Sequence, residues 1–170
     1  MHAQVWDWLE ELKWSHPHVF QDRCVLDAGS MGVNGTPRPL FENCHYTGVD
    51  WRDGPCVDVV SLIHEYRPDF QFDTVISTEM LEHDPYWRQS VVRMVDLVRS
   101  GGSLIISAAG PGRPKHRDDH APDGEYYGNV RLDELLSQIW SAARFAVVHL
   151  EINTEHHDVY MLCDDKLTGE

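Results

Sequence analysis

"VLDAGSMGVNGT" occupies residues 25–36 and decides the predicted fold. An apolar run leads into one acid, Asp27, and glycines follow at positions 29, 32 and 35. Glycine at this density indicates a backbone that turns tightly or passes close to a ligand. In a parallel sheet, a turn of this kind lies at the carboxyl edge, where such folds bind their ligands. The stretch therefore predicts a strand that ends at a binding turn.

Short apolar runs and longer helical patterns alternate along the chain, and this alternation predicts a parallel sheet covered by helices. Seven strands are predicted, at 24–28, 46–50, 57–60, 72–77, 103–108, 145–152 and 159–163. Apolar residues at helical spacing predict helices within 1–20, at 87–98 and at 132–143. The turn-like "NTEHHD" predicts that the last two strands form an antiparallel hairpin. We therefore expect a three-layer, Rossmann-like α/β sandwich with a seven-stranded, mostly parallel sheet and an antiparallel C-terminal hairpin strand.

Bulk properties narrow the class of partner. A length of 170 residues favours a single domain over 1–170, and no apolar run approaches the roughly 20 residues of a membrane span. The net charge of −14 argues against a broad nucleic-acid surface. The four cysteines form no CxxC pair, and the N-terminus has no secretory cleavage site. These features predict a cytoplasmic protein that acts on a small neutral or cationic molecule.

A second acid, Asp50, ends the second predicted strand. A carboxylate at that position can accept hydrogen bonds from both hydroxyls of a ribose, which indicates a nucleoside-bearing cofactor. Nicotinamide dinucleotides and S-adenosylmethionine both meet this requirement. The glycine spacing is GxxGxxG, whereas the dinucleotide fingerprint is GxGxxG. The carboxylate of Asp27 would also repel a pyrophosphate and attract the ammonium of a methionine moiety, so the charge favours S-adenosylmethionine.

The order of four motifs resembles that of the class I S-adenosylmethionine-dependent methyltransferases. The motifs are "VLDAGSMGVNGT", "YTGVD", "FDTVISTEMLEH" and "VRSGGSLIISA", and the resemblance covers Cys24 to Cys163. One departure is that Met31 and Val33 stand at the later glycine positions of the family's usual DxGxGxG turn. The resemblance implies methyl transfer from S-adenosylmethionine to a small-molecule acceptor.

The resemblance also implies which residues contact the cofactor. Asp27 would take the methionine ammonium, Asp50 the ribose hydroxyls, and Trp51 would lie against the adenine. The alternative for the two acids is a surface carboxylate that caps a turn. The full set of implied cofactor contacts is Asp27, Gly29, Ser30, Asp50, Trp51, Ser61, Leu62, Ser77, Thr78 and Glu79.

His83 follows the fourth strand, where related small-molecule methyltransferases often carry a histidine. The ordinary histidine pKa of about 6.5 suits proton removal at neutral pH, so His83 is the candidate general base. The alternative is a histidine that caps the following helix. The neighbouring "DPY" at 84–86 is interpreted as a helix start and not as a nucleic-acid methylation motif.

A long connection at 109–130 is predicted to be a substrate lid, with Tyr126 and Tyr127 over the acceptor. The alternative is a pair of exposed tyrosines packed on the last helix. Within this connection, "HRDDH" at 116–120 is interpreted as a solvated loop because prolines bracket it, and no metal site is predicted.

Two other functions remain open at this point. A non-catalytic subunit that binds S-adenosylmethionine or a protein partner would fit a chain with one N-terminal helix and no inserted substrate domain. A nicotinamide-dependent oxidoreductase is opposed by the glycine spacing and by Asp27.

Overall fold

A seven-stranded sheet organises the protein, in the order β3-β2-β1-β4-β5-β7-β6. The computed structural model describes residues 2–115 and 126–168. Strands β1 to β5 run parallel, and β7 is antiparallel to both of its neighbours, β5 and β6. The predicted α/β fold is therefore confirmed. The strands are β1 (Cys24–Ala28), β2 (His45–Asp50), β3 (Val59–Val60), β4 (Phe72–Thr78), β5 (Val98–Ala109), β6 (Phe145–Asn153) and β7 (Asp158–Lys166).

Helices cover the two faces of the sheet. The α-helices are α1 (Ala3–Ser15), α2 (Trp87–Leu97) and α3 (Leu132–Ala142). Short 3-10 turns add Pro17–Val19, Arg38–Leu40, Ile63–Glu65 and Leu81–His83. Within the described ranges, none of these helices has the length and apolar character needed to cross a membrane.

Alternate residues of each strand face opposite sides, so the sheet supplies two separate cores. On one side, α2 and α3 pack over Leu26, Val75 and Leu104. On the other side, α1 packs over their chain neighbours Val25, Ile76 and Ile105. The stacking of Trp8 on Tyr160, with ring centroids 4.8 Å apart, fixes α1 over β7.

Several element boundaries differ from the prediction. The helix predicted over 87–98 ends at Leu97, because Val98 already pairs with Phe72 as the first residue of β5. Val98 is buried in either conformation, so the apolar pattern alone did not reveal the change. The helix predicted within 1–20 ends at Ser15, two residues before Pro17, because proline disfavours helical backbone in the residue before it.

The connection from β1 to β2 contains very little regular secondary structure. It contains a single three-residue 3-10 turn, Arg38–Leu40, where many α/β units carry a full helix. Pro37 and Pro39 explain this, since neither can donate a backbone hydrogen bond. The glycine-rich turn therefore leads into irregular backbone, and its shape is set by contacts with the neighbouring strands.

Candidate active site

A cavity of about 420 Å³ opens at the carboxyl ends of β1, β2 and β4. This is the edge that the sequence predicted for ligand binding. Nine of the predicted site residues line the cavity, namely Gly29, Asp50, Trp51, Ser61, Leu62, Thr78, Glu79, His83 and Tyr126. The fold thus brings most of the proposed contacts, from five separate segments, to one concave surface.

Gly29 sits where the binding turn leaves β1. Its φ is +83°, a conformation that side chains rarely adopt, and its N–H donates to Val49 O at 2.9 Å. A Cβ at this position would lie 2.4 Å from Met80 Cγ. Only glycine therefore allows β1, β2 and the loop after β4 to meet this closely.

Asp50 ends β2 and faces the cavity. It is 7% exposed, and its two oxygens accept hydrogen bonds from the N–H of Met31 at 3.2 Å and of Arg52 at 3.3 Å. Burial raises the pKa of Asp50, while the backbone donors lower it. A carboxylate can accept about four hydrogen bonds, so Asp50 keeps acceptor capacity for a further donor. The neighbouring Trp51 is 51% exposed and presents its ring at the same cavity.

Asp27 lies behind the turn and does not line the cavity. It is 1% exposed, and Tyr46 Oη donates to its Oδ2 at 2.8 Å. Its Oδ1 has no hydrogen-bond partner among the described residues. Burial raises the pKa of Asp27 to about 7, against the opposing hydrogen bond from Tyr46. Neither Asp27 nor Asp50 is therefore a surface acid.

Two predicted serines also lie outside the cavity. Ser77 is fully buried, and its Oγ donates to Ala28 O at 2.9 Å, which joins β4 to β1. Ser30 is 3% exposed, and its Oγ would be 2.7 Å from a Cβ at Gly48. Both side chains pack the base of the turn.

The loop after β4 places Glu79 at the cavity wall. Its side chain is 6% exposed, its Oε1 accepts from Ser107 Oγ at 3.0 Å, and its Oε2 lies 3.6 Å from His2 Nε2. Burial raises the pKa of Glu79 to about 7, and the charge of Asp158 adds to that effect. The backbone φ of Glu79 is +53°, which is strained for a residue with a side chain.

His83 occupies the 3-10 turn that follows and lines the cavity. Its ring meets the ring of Tyr127 edge-on, with centroids 5.3 Å apart. Burial raises the pKa of Tyr127 to about 12. Tyr126, 39% exposed, lines the cavity, whereas Tyr127 does not. Residues 116–125 of the predicted lid, which include "HRDDH" at 116–120, lie outside the described residues.

Solved structures with the same architecture identify the fold. One is the 1,6-didemethyltoxoflavin-N1-methyltransferase of Burkholderia thailandensis, bound to S-adenosylhomocysteine, with a TM-score of 0.63 and 20% identity over 91% of this chain and 75% of its own. A second is the magnesium protoporphyrin IX methyltransferase of Synechocystis PCC 6803, bound to S-adenosylmethionine. Its TM-score is 0.66, with 14% identity over 97% of this chain and 79% of its own. The chain has the class I methyltransferase fold.

A third structure with this methyltransferase fold matches over almost the whole length of both chains. It is an S-adenosylmethionine-dependent methyltransferase from Clostridium acetobutylicum, with a TM-score of 0.64 and 13% identity over 99% of this chain and 93% of its own. No family model and no curated protein matches the sequence. The similarity to these solved structures is therefore a similarity of fold.

The methyltransferase fold also brings in residues that the sequence did not predict. His2 comes from the start of α1, so its place in the cavity depends on packing between distant segments. Others adjoin predicted residues and could have been inferred from the glycine-rich turn or from His83. The unpredicted lining residues are His2, Met31, Val33, Asn34, Arg52, Ile63, Met80, Asp84, Pro85 and Tyr86.

A further acid, Glu82, lies beneath the loop after β4. It is fully buried, and among the described residues neither of its carboxylate oxygens has a hydrogen-bond partner. Burial first, and then the charge of Glu79, raise the pKa of Glu82 well above its usual range. Its backbone carbonyl accepts from Gly128 N at 2.8 Å, which ties the segment after 126 to this loop.

The described part of the chain contains no group of three histidine, cysteine or acidic side chains placed to hold a metal ion. The groups that line the cavity include carboxyl groups, the imidazoles of His2 and His83, and aromatic rings.

Proposed function

We propose that the protein transfers the methyl group of S-adenosylmethionine to a small-molecule acceptor. The observation that carries this proposal is a single cavity that joins the Gly29 turn, Asp50 and the loop from Glu79 to His83. The fold supports it, because two of the structures described above contain S-adenosylmethionine or S-adenosylhomocysteine in the same architecture.

The residues present fit this cofactor. Asp50 keeps acceptor capacity at the cavity wall, as a ribose diol requires, and Gly29 leaves the space that a Cβ would fill. Trp51 offers an apolar ring for the adenine, with Ser61 and Leu62 beside it in the lining. Thr78 borders the methionine end. When bound, S-adenosylmethionine supplies a methyl group on a positively charged sulfur.

Asp27 acts in this scheme from beneath the turn. A buried carboxylate is weakly screened, so its charge reaches across the Gly29 backbone more strongly than a surface charge would. Its sign favours a sulfonium and an ammonium over a pyrophosphate. Because Asp27 does not line the cavity, we assign it an electrostatic role without direct contact.

His83 is the proposed general base. It lines the cavity, and its edge contact with Tyr127 restricts how the imidazole can rotate. An acceptor that must lose a proton would give it to this imidazole, while the cavity walls hold the acceptor in line.

Nicotinamide chemistry is disfavoured by the same turn. Dinucleotide sites place the pyrophosphate at the start of a helix, but the segment after Gly35 forms only the three-residue turn Arg38–Leu40. The buried carboxylate of Asp27, beneath the turn, would also repel a pyrophosphate bound above it. Both features disfavour binding of the doubly negative pyrophosphate of a nicotinamide dinucleotide.

Thermal melting with S-adenosylhomocysteine and with NADH tests the proposal. A ligand that binds only the folded state raises the melting temperature by mass action. We expect S-adenosylhomocysteine to raise the midpoint and NADH to leave it unchanged. The reverse order would refute the cofactor assignment. Transfer of labelled methyl groups to a small-molecule extract then separates an enzyme from a non-catalytic binding subunit, which would show the melting shift alone.

A further inference from the structure

We propose that the methyl acceptor is an amine that binds as its ammonium form against the side chain of Glu79. This inference rests on the proposed methyl transfer and deepens it by naming the acceptor class. It follows from the direction in which Glu79 is held, from the charge of its surroundings and from the rings in the same cavity.

Glu79 is turned away from the part of the cavity that the nucleoside would fill. Asp50 and Gly29 belong to β2 and β1, on one side of β4. The Glu79 carboxylate instead bonds to Ser107 on β5, on the other side of β4, and the Glu79 N–H donates to Ser107 O at 3.0 Å. These bonds direct the acid toward β5 and away from Asp50.

Two other carboxyl groups lie close to Glu79, and the described basic groups near it are Arg113 and His2. Glu79 is flanked by Glu82 and Asp158, whose charges are felt at this site. Arg113 Nη1 donates to both oxygens of Asp158, at 2.9 and 3.0 Å. Among the residues that the structure describes, the other basic group here is His2, 3.6 Å from Glu79 Oε2.

A buried carboxylate is costly unless a cation or hydrogen-bond donors accompany it. Glu79 Oε2 lacks a hydrogen-bond partner among the described residues, and the acid lines the cavity, so a ligand can supply that cation there. Tyr86 and Tyr126 line the same cavity, and aromatic rings also attract an ammonium group. The carboxylate of Glu79 would repel an anionic acceptor.

The proposed step conserves atoms and charge. The ammonium loses one proton to His83, which frees the nitrogen lone pair. That pair forms the new nitrogen–carbon bond, and the carbon–sulfur bond breaks with its electrons left on sulfur. The product is a methylated ammonium and a neutral thioether, so the site holds a cation at Glu79 before and after transfer.

A matched pair of aromatic probes tests the acceptor class without requiring turnover. Benzylamine, which is cationic at pH 7.5, and benzyl alcohol are titrated by calorimetry into the full-length protein saturated with S-adenosylhomocysteine. We expect the amine to bind at least about 10-fold more tightly, as a hydrogen bond between charged partners implies. Glu79→Gln should abolish that preference, and Glu79→Asp should retain part of it. Glu10→Gln, on the exposed face of α1, is the matched control.

The result that overturns the inference is distinct from the result that overturns the function. Equal binding of the two probes, a lack of amine binding, or a preference that survives Glu79→Gln would reject the amine acceptor while S-adenosylhomocysteine still binds. A loss of S-adenosylhomocysteine affinity in Glu79→Gln would reassign the acid to the cofactor. If the unaltered protein fails to bind S-adenosylhomocysteine, the proposed function itself is wrong.

Discussion

Tyr46 Oη donates a 2.8 Å hydrogen bond to Asp27 Oδ2 from the strand next to β1. The phenol and the carboxyl group are both buried, and the charge and hydrogen bond of Asp27 add to burial in raising the pKa of Tyr46. This pairing keeps the acid under the binding turn and away from the cavity surface. Burial raises the pKa of Asp27 against this hydrogen bond, so the protonation of Asp27 is linked to folding.

Asp27→Asn should stabilise the protein at alkaline pH and have little effect near pH 4. The pKa of Asp27 is raised from 3.8 to about 7 in the folded state, so the folded protein binds this proton more tightly than the unfolded chain does. The free energy of unfolding therefore falls as pH rises from about 4 to 7. At 1.36 kcal/mol per pKa unit, the substitution should recover up to about 4 kcal/mol at pH 8.

Chemical denaturation at pH 4 and pH 8 measures that difference. Asp7→Asn, on the exposed side of α1, is the control and should change stability equally at both values. The pKa values of Glu79 and Glu82 are raised as well, so the Asp27→Asn variant should still lose some stability as the pH rises. A stability gain independent of pH would contradict the assignment.

Asp50→Ala should weaken the binding of S-adenosylhomocysteine by at least about 10-fold, the range expected when hydrogen bonds to a charged group are lost. Calorimetric titration measures this change. Asp53→Ala is the control, since Asp53 is an exposed acid three positions later that does not line the cavity. Full affinity in the Asp50 variant would show that the acid holds only the turn backbone and not the ribose.

Gly29→Ala should be more destabilising than Gly35→Ala. Both glycines have positive φ, +83° and +103°, so each substitution bears the backbone cost of about 1–2 kcal/mol. The Cβ at Gly29 would also meet Met80 at 2.4 Å, whereas nothing lies within 4 Å at Gly35. Overpacking adds about 1–3 kcal/mol, so urea denaturation should separate the two variants by that amount. Equal destabilisation would mean that Met80 can move aside.

His83→Ala should lower methyl transfer by about 10²- to 10⁴-fold, the usual contribution of a general base. The affinity for S-adenosylhomocysteine should stay within about 3-fold, because proton removal is separate from cofactor binding. Single-turnover kinetics measures the rate of methyl transfer, and calorimetry measures the affinity for S-adenosylhomocysteine. His45→Ala, at the exposed opposite end of β2, should change neither. Unchanged turnover in the His83 variant would leave the imidazole with a capping role.

The strands and the binding edge could be predicted because their signals are local. The apolar run before Asp27 and the acid at Asp50 each belong to one strand end, and parallel strands place those ends together. The burial of Asp27 could not be predicted in the same way. It depends on Tyr46, which pairs with Val25 in the neighbouring strand and folds over the acid from that position.

Residues contributed by distant packing were missed for the same reason. His2 reaches Glu79 because α1 lies across the sheet, and no pattern near either residue encodes that contact. The change from α2 to β5 at Val98 was missed because an apolar residue satisfies both periodicities. Sequence periodicity therefore located the ends of the strands, while contacts across the sheet determined which side chains meet there.

The left-handed backbone at Glu79 sets a limit on engineering. Glycine would adopt a φ of +53° without strain, so Glu79→Gly would relieve the backbone and remove a buried acid together. Selection of variants for heat resistance alone should therefore accumulate glycine at this position. The selected variants would gain thermal stability but lose the carboxylate that faces the cavity. Any thermostability screen of this protein must therefore be paired with selection for turnover.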